Sequence, residues 1–175
     1  MLDIELKNQL KGIFSTLEGK YTLLIKASAG HENYSELVEM LTDFADCSVN
    51  IDSKIEEGVA LEFTILKDNC ETGIIFRAVP GGHEFTSLIL AVLNADGKGK
   101  NLPDEFTINR IKSLNTPINL TTYMSLSCTN CPDIVQALNI VALLNDGVTH
   151  QAVDGSIYED EVKALNVQAV PTVYA

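Results

Sequence analysis

The stretch Ser127-Cys128-Thr129-Asn130-Cys131-Pro132-Asp133-Ile134-Val135-Gln136-Ala137-Leu138-Asn139 decides how this 175-residue chain is read. It follows a strand-like run and opens an amphipathic one. Pro132 cannot lie deep inside a helix without losing a hydrogen bond, so the helix is expected to begin close to Cys128, with Ser127 as its cap. A thiol in the first turn faces unpaired N–H groups and the positive end of the helix dipole, which favours the thiolate. Cys131 falls one turn later on the same face and can reach back to close a disulfide. Such a pair suits thiol–disulfide exchange, with Cys128 attacking a target disulfide and Cys131 resolving the mixed disulfide.

Downstream come a strand at Val148–Val153, a helix at Glu159–Leu165 and a last strand, Pro171-Thr172-Val173-Tyr174. Pro171, between helix and strand, is a candidate cis bond. Upstream, residues 2–17 have helical apolar spacing. A strand at Tyr21–Ala27, a polar loop and a helix carrying Leu37, Val38, Leu41, Phe44 and Ala45 follow. Strands are expected around Ser48–Ile51, Leu61–Leu66 and Gly73–Val79, with turns at Asp68-Asn69 and Pro80-Gly81-Gly82. A helix at His83–Asn94, a linker at Gly97–Pro103 and a helix at Asp104–Ser113 complete the chain. A shift of 97 positions lays Leu23 on Leu120, Ser28 on Ser125, and Leu37, Val38, Leu41 and Ala45 on Ile134, Val135, Leu138 and Ala142. That suggests a duplicated supersecondary plan, with His31 and Tyr34 standing where the second copy has its cysteines. Alternating strands and helices call for an α/β fold with mixed sheets.

A formal charge of −12 argues against nucleic acid as a partner, since phosphates would be repelled. The longest apolar run, Leu88–Leu93, is too short to cross a bilayer, so no membrane partner is expected. The first residues lack the pattern of a secretory signal, and a cytoplasmic location is the expectation. There, the four cysteines are not expected to be structural staples. Zinc is the rival chemistry for the pair, but Cys47 and Cys70 lack the spacing of a second ligand pair. An accidental pair is the other rival, since C-x-x-C alone is a modest motif. Cys47 and Cys70 read as free thiols, and His31, His83 and His150 as surface or packing residues. The Pro80-Gly81-Gly82 run lacks phosphate-loop spacing and reads as just a turn. Glu84 on its own reads as an acid in a helix's first turn.

Strand, C-x-x-C, helix, strand, helix and Val170-Pro171-Thr172 together resemble the thioredoxin family. The stretch around Cys128, the leading helix and Gly82-His83-Glu84-Phe85-Thr86-Ser87-Leu88 resemble more closely the N-terminal domain of the F subunit of alkyl hydroperoxide reductases, along essentially the whole chain. The resemblance implies two tandem thioredoxin-like units with mixed sheets flanked by helices. A redox-inactive unit with its leading helix is expected at residues 1–102, and the C-x-x-C unit at 103–175. It implies that Cys128 attacks and Cys131 resolves, that Pro171 is a cis-proline facing the pair, and that Glu84, from the first unit, lies near the pair and assists proton movement. Thr129 stands where that family commonly has histidine, and bears on the thiolate's pKa.

The implied function is a dithiol–disulfide electron-transfer module, a protein disulfide oxidoreductase acting in the response to reactive oxygen species. Electrons would come from a flavin-containing reductase domain, with FAD and NADH bound outside these residues, and go to a peroxiredoxin disulfide. No cofactor or metal is expected in the chain itself. The alternatives are a freestanding glutaredoxin-like or disulfide-isomerase-like protein, and a thioredoxin-like binding module whose cysteines are incidental. A thioredoxin-like unit continues beyond its Val-Pro-Thr strand into another strand and a covering helix, so the second unit is expected to be truncated at its C-terminus, with an open edge at its last strand.

Overall fold

The computed structural model describes residues 1–175. Helix α1 (Ile4–Ile13) starts where Asp3 accepts the Leu6 N–H at 2.8 Å, and runs into a 3-10 turn, Phe14–Thr16. Strand β1 (Tyr21–Ala27), helix α2 (Tyr34–Ala45), β2 (Ile51–Glu57) and β3 (Leu61–Lys67) follow. β1 lies between its neighbours, parallel to β2 and antiparallel to β3. Period-2 burial of Leu61, Phe63 and Ile65 puts these side chains in the core with Leu23, Ile25, Leu37, Leu41 and Phe44. Phe14 meets Phe44 edge-on at 5.1 Å, and Lys7 pairs with Asp43 at 2.9 Å, so α1 is tied to α2.

Strand β4 (Cys70–Arg77) leads to a 3-10 turn, Gly82–Glu84, then α3 (Phe85–Ala95), α4 (Glu105–Lys112), β5 (Ile118–Met124), α5 (Cys131–Leu144), β6 (Val148–Asp154), α6 (Glu159–Ala164) and β7 (Thr172–Tyr174). β6 is parallel to both β4 and β5, while β7 runs antiparallel to β5 at the edge of the order β4-β6-β5-β7. α3 and α4 both pack on α5. Asn145 holds the end of α5 to the end of α4, donating to the carbonyls of Ile111 at 2.8 Å and Leu114 at 3.0 Å.

The 97-residue shift survives in three dimensions. It carries β1 onto β5 and β2 onto β6 residue for residue, and the first residue of α2, Tyr34, onto the first of α5, Cys131. Both copies have the same local order, a central strand flanked by a parallel and an antiparallel neighbour.

Two expectations need correcting. The strand read at Ser48–Ile51 begins at Ile51, because Ser48–Asn50 form a turn closed by the Ile51 N–H on the Ser48 carbonyl at 3.2 Å. It runs on to Glu57, and most of its side chains are exposed, which erases the alternation that marks a strand. The strand expected at Gly73–Val79 spans Cys70–Arg77 instead, with Cys70 as its exposed first residue directly after the Asp68-Asn69 turn. By its contacts the chain divides into two compact units, Met1–Glu71 and Thr72–Ala175. β4 is laddered to β6 and α3 packs on α5, so the Gly73–Val79 strand, Glu84 and α3 share a compact unit with the cysteine pair.

Candidate active site

β5 delivers the chain into a tight loop in which the Cys128 N–H returns to the Ser125 carbonyl at 3.0 Å. α5 begins at Cys131 rather than near Cys128, with Pro132 in its first turn, where the missing N–H costs nothing. Ser127 is not its cap; its hydroxyl faces that of Ser125 at 3.1 Å, and Asn130, which occupies the cap position, makes no side-chain bond there. The cap acceptor is sulfur. The Cys131 N–H donates to Cys128 Sγ at 3.1 Å. The two cysteines form a disulfide with Cα atoms 5.5 Å apart. Cys131 is fully buried whereas Cys128 is half-buried and Thr129 exposed. When the bond is reduced, that N–H and the helix start favour charge on the more accessible sulfur.

On the open side of the pair, the Val170–Pro171 bond is cis, and the Val170 carbonyl oxygen lies 4.0 Å from Cys128 Sγ. This segment leads directly into β7, where Tyr174 meets Tyr123 of β5 edge-on at 5.9 Å. Tyr123 donates its hydroxyl to Glu161 of α6 at 2.9 Å, and Arg77 of β4 grips the same carboxylate through both guanidinium nitrogens while stacking over Tyr158 at 3.9 Å. Arg77 holds the Glu161 carboxyl below its ordinary range, and burial, with Glu161 next, pushes the Tyr123 phenol up to about 12.

Glu84 closes the 3-10 turn that packs on α5, and within that turn the His83 N–H donates to the Leu126 carbonyl at 3.0 Å. The Glu84 side chain is fully buried and neither carboxylate oxygen has a hydrogen-bond partner. Burial therefore pushes its pKa up; Ser87, one turn on, pulls the other way without reaching bonding geometry and does not offset it.

No protein-family model matches the sequence. The F subunit of alkyl hydroperoxide reductase of Pseudomonas aeruginosa is 36% identical over 99% of this chain, and a protein named NADH dehydrogenase from Ferdinandcohnia aciditolerans is 38% identical over the same share. In both cases the chain spans about a third (33%) of the relative's length. The crystal structure of the N-terminal domain of the alkyl hydroperoxide reductase AhpF from Enterococcus faecalis superposes with a TM-score of 0.89 at 28% identity, covering 99% of this chain and 90% of that one. The chain matches the AhpF N-terminal domain along its whole length. The thioredoxin-like α/β fold that the resemblance implied is the fold of this chain.

Of the three histidines read as surface or packing residues, His150 is packed inside and centres a polar network. His150 is fully buried, with Nε2 2.7 Å from Thr122 Oγ1 and Nδ1 2.7 Å from Asn139 Oδ1. The neutral ring satisfies both, donating from Nδ1 and accepting the threonine hydroxyl, and burial lowers its pKa to about 4. A signal was present: His150 is in phase with Val148 and Ala152 on β6, and Asn139 with Cys131 and Val135 on α5, all buried. Cys47 is buried with its thiol on the Asp43 carbonyl at 3.2 Å. No helix is long and apolar enough to cross a membrane.

Proposed function

We propose that the chain is the dithiol–disulfide electron-transfer module of an alkyl hydroperoxide reductase, acting as a protein disulfide oxidoreductase in the cytoplasm. The observation that carries this reading is the Cys131 N–H aimed at the half-buried sulfur of Cys128, with Cys131 itself sealed behind it. The Cys128 thiolate attacks one sulfur of a peroxiredoxin disulfide, forming a mixed disulfide and releasing the other peroxiredoxin sulfur as thiolate. The Cys131 thiolate then attacks Cys128 Sγ, closing the internal disulfide and releasing the second peroxiredoxin sulfur. Two electrons leave the module and two go to the peroxiredoxin.

A flavin-containing disulfide-reductase domain, holding FAD and drawing on NADH, would return the pair to the dithiol by the same chemistry in reverse. The names of the relatives, and their roughly threefold greater length, support a larger machine of this kind. Glu84 serves as the proton carrier for Cys131, and the Val170–Pro171 segment as the wall against which the partner chain lies. Thr129 tunes the thiolate from the exposed turn. Residues 1–102 act as a redox-inactive copy and 103–175 as the active one, with His31 and Tyr34 in place of the cysteines.

The test is reduction of a peroxiredoxin disulfide by the pre-reduced chain, alongside a redox titration of the chain itself. A reversible two-electron couple with stoichiometric transfer is expected. Cysteines that show no reversible couple would make the chain a binding module instead.

A further inference from the structure

The Pro80-Gly81-Gly82 run looks like a plain turn in the sequence, but its backbone lies against the redox loop. Gly82 has φ +53°, and a β-carbon there would stand 2.6 Å from the Leu126 carbonyl oxygen and 3.3 Å from the Leu126 β-carbon. Nothing larger than hydrogen fits without moving one backbone or the other, and the positive φ is itself costly for a side chain. The same carbonyl oxygen accepts the His83 N–H at 3.0 Å. Leu126 stands two residues before Cys128, in the loop closed by the Cys128 N–H on Ser125. The turn has little freedom of its own. Gly81 donates to the Val79 carbonyl at 2.7 Å, Glu84 donates to the Gly81 carbonyl at 3.1 Å, and α3, which continues from it, packs on α5.

We propose that Gly82 is a positioning residue for thiol–disulfide exchange: by letting the Leu126 carbonyl seat against the His83 amide, it holds the Ser125–Cys128 loop so that Cys128 Sγ meets the Cys131 N–H. The proposal rests on the redox reading of the pair. The link from geometry to chemistry is short. The sulfur-facing N–H acts over 3.1 Å, and its stabilisation of a thiolate weakens as the loop that carries the sulfur shifts away.

Two other glycines supply the controls. Gly97 has φ +74° with nothing within 4 Å of an added β-carbon, so Gly97→Ala carries backbone strain alone. Gly73 has φ +82°, and its β-carbon would stand 2.6 Å from the Val148 carbonyl oxygen, so Gly73→Ala carries strain and crowding on the β4–β6 ladder instead of the redox loop. In the full chain, reduced, the rate of alkylation at Cys128 is followed against pH, read by peptide mass spectrometry so that Cys70 does not interfere. Gly82→Ala is expected to move the profile to higher pH and slow alkylation at pH 7 about tenfold, by loss of thiolate. Gly73→Ala and Gly97→Ala are expected to stay within about twofold of the parent.

A Gly82→Ala profile within about twofold of the parent overturns the proposal, as does an equal shift in Gly73→Ala. A parent chain without a reversible couple sinks the redox reading, which the redox titration detects separately. If Gly82→Ala does not fold, the unaltered protein decides through deuterium exchange of the His83 amide. Exchange that differs about fivefold or more between dithiol and disulfide forms supports a turn tied to the loop, and equal protection overturns it.

Discussion

The N–H of Cys131 points at the sulfur of Cys128, 3.1 Å away, across the turn that the disulfide closes. The consequence is an unequal pair. One sulfur is accessible and electrostatically favoured as an anion, while the other is buried under its own helix.

The roles should therefore separate cleanly in single variants. Cys131→Ser is expected to accumulate a mixed disulfide with an oxidised peroxiredoxin, because nothing resolves it. Cys128→Ser is expected to leave the partner untouched. Non-reducing electrophoresis with mass spectrometry reads the result. Equal trapping by the two variants would reverse the assignment.

Glu84 is a buried carboxyl without a partner, so its charge is a liability in the folded state. Its raised pKa means that the stability it contributes is present below the unfolded carboxylate range and is lost as pH rises through the folded value. Glu84→Gln is expected to raise stability at pH 8, by about 1 kcal/mol in urea denaturation, by removing a charge that burial disfavours. Electron transfer to a disulfide substrate should slow about tenfold if the carboxyl carries the proton for Cys131. A stabilised variant with full activity would confine Glu84 to a structural role.

His150 predicts an acid limit. Its folded pKa near 4 lies below the ordinary 6.5, so the unfolded chain binds this proton first as pH falls. The stability it protects is complete above pH 6.5 and drains away as pH drops toward 4, by at most about 3 kcal/mol. His150→Gln, which keeps hydrogen-bonding groups without the titration, should flatten that part of the stability profile relative to the parent. Parallel profiles for the two proteins would exclude His150 as the source.

The Arg77–Glu161–Tyr123 cluster joins β4, β5 and α6. Glu161 is more than a third exposed, so solvent weakens the ion pair; Arg77, far less exposed, loses its main partner when the carboxylate goes. Glu161→Ala is expected to cost about 1 kcal/mol, a fall of a few degrees in thermal unfolding. The Tyr123 phenol, relieved of its carboxylate neighbour, should titrate at lower pH, which ultraviolet absorbance follows. An unmoved phenol would leave burial as its only cause.

Much of this protein is written in local sequence. Period-2 runs set β1 and β3, Pro132 limits how far upstream α5 can start, and the 97-residue shift lays β1 on β5 and α2 on α5. The chemistry of the pair follows from Cys128, Cys131 and the helix behind them, because thiol, turn and dipole lie within a few residues. Other features are set by non-local contacts. That Gly82 and His83 seat on Leu126, that Val170 reaches Cys128, and that Asn139 meets His150 depends on β4, β5, β6 and β7 standing side by side. Even the limits of the compact units came from pairing, since β4 ends at Arg77 yet ladders with β6, which begins only at Val148. A residue's periodicity records which face is buried, whereas its partner is chosen by how the parallel crossovers bring distant segments together.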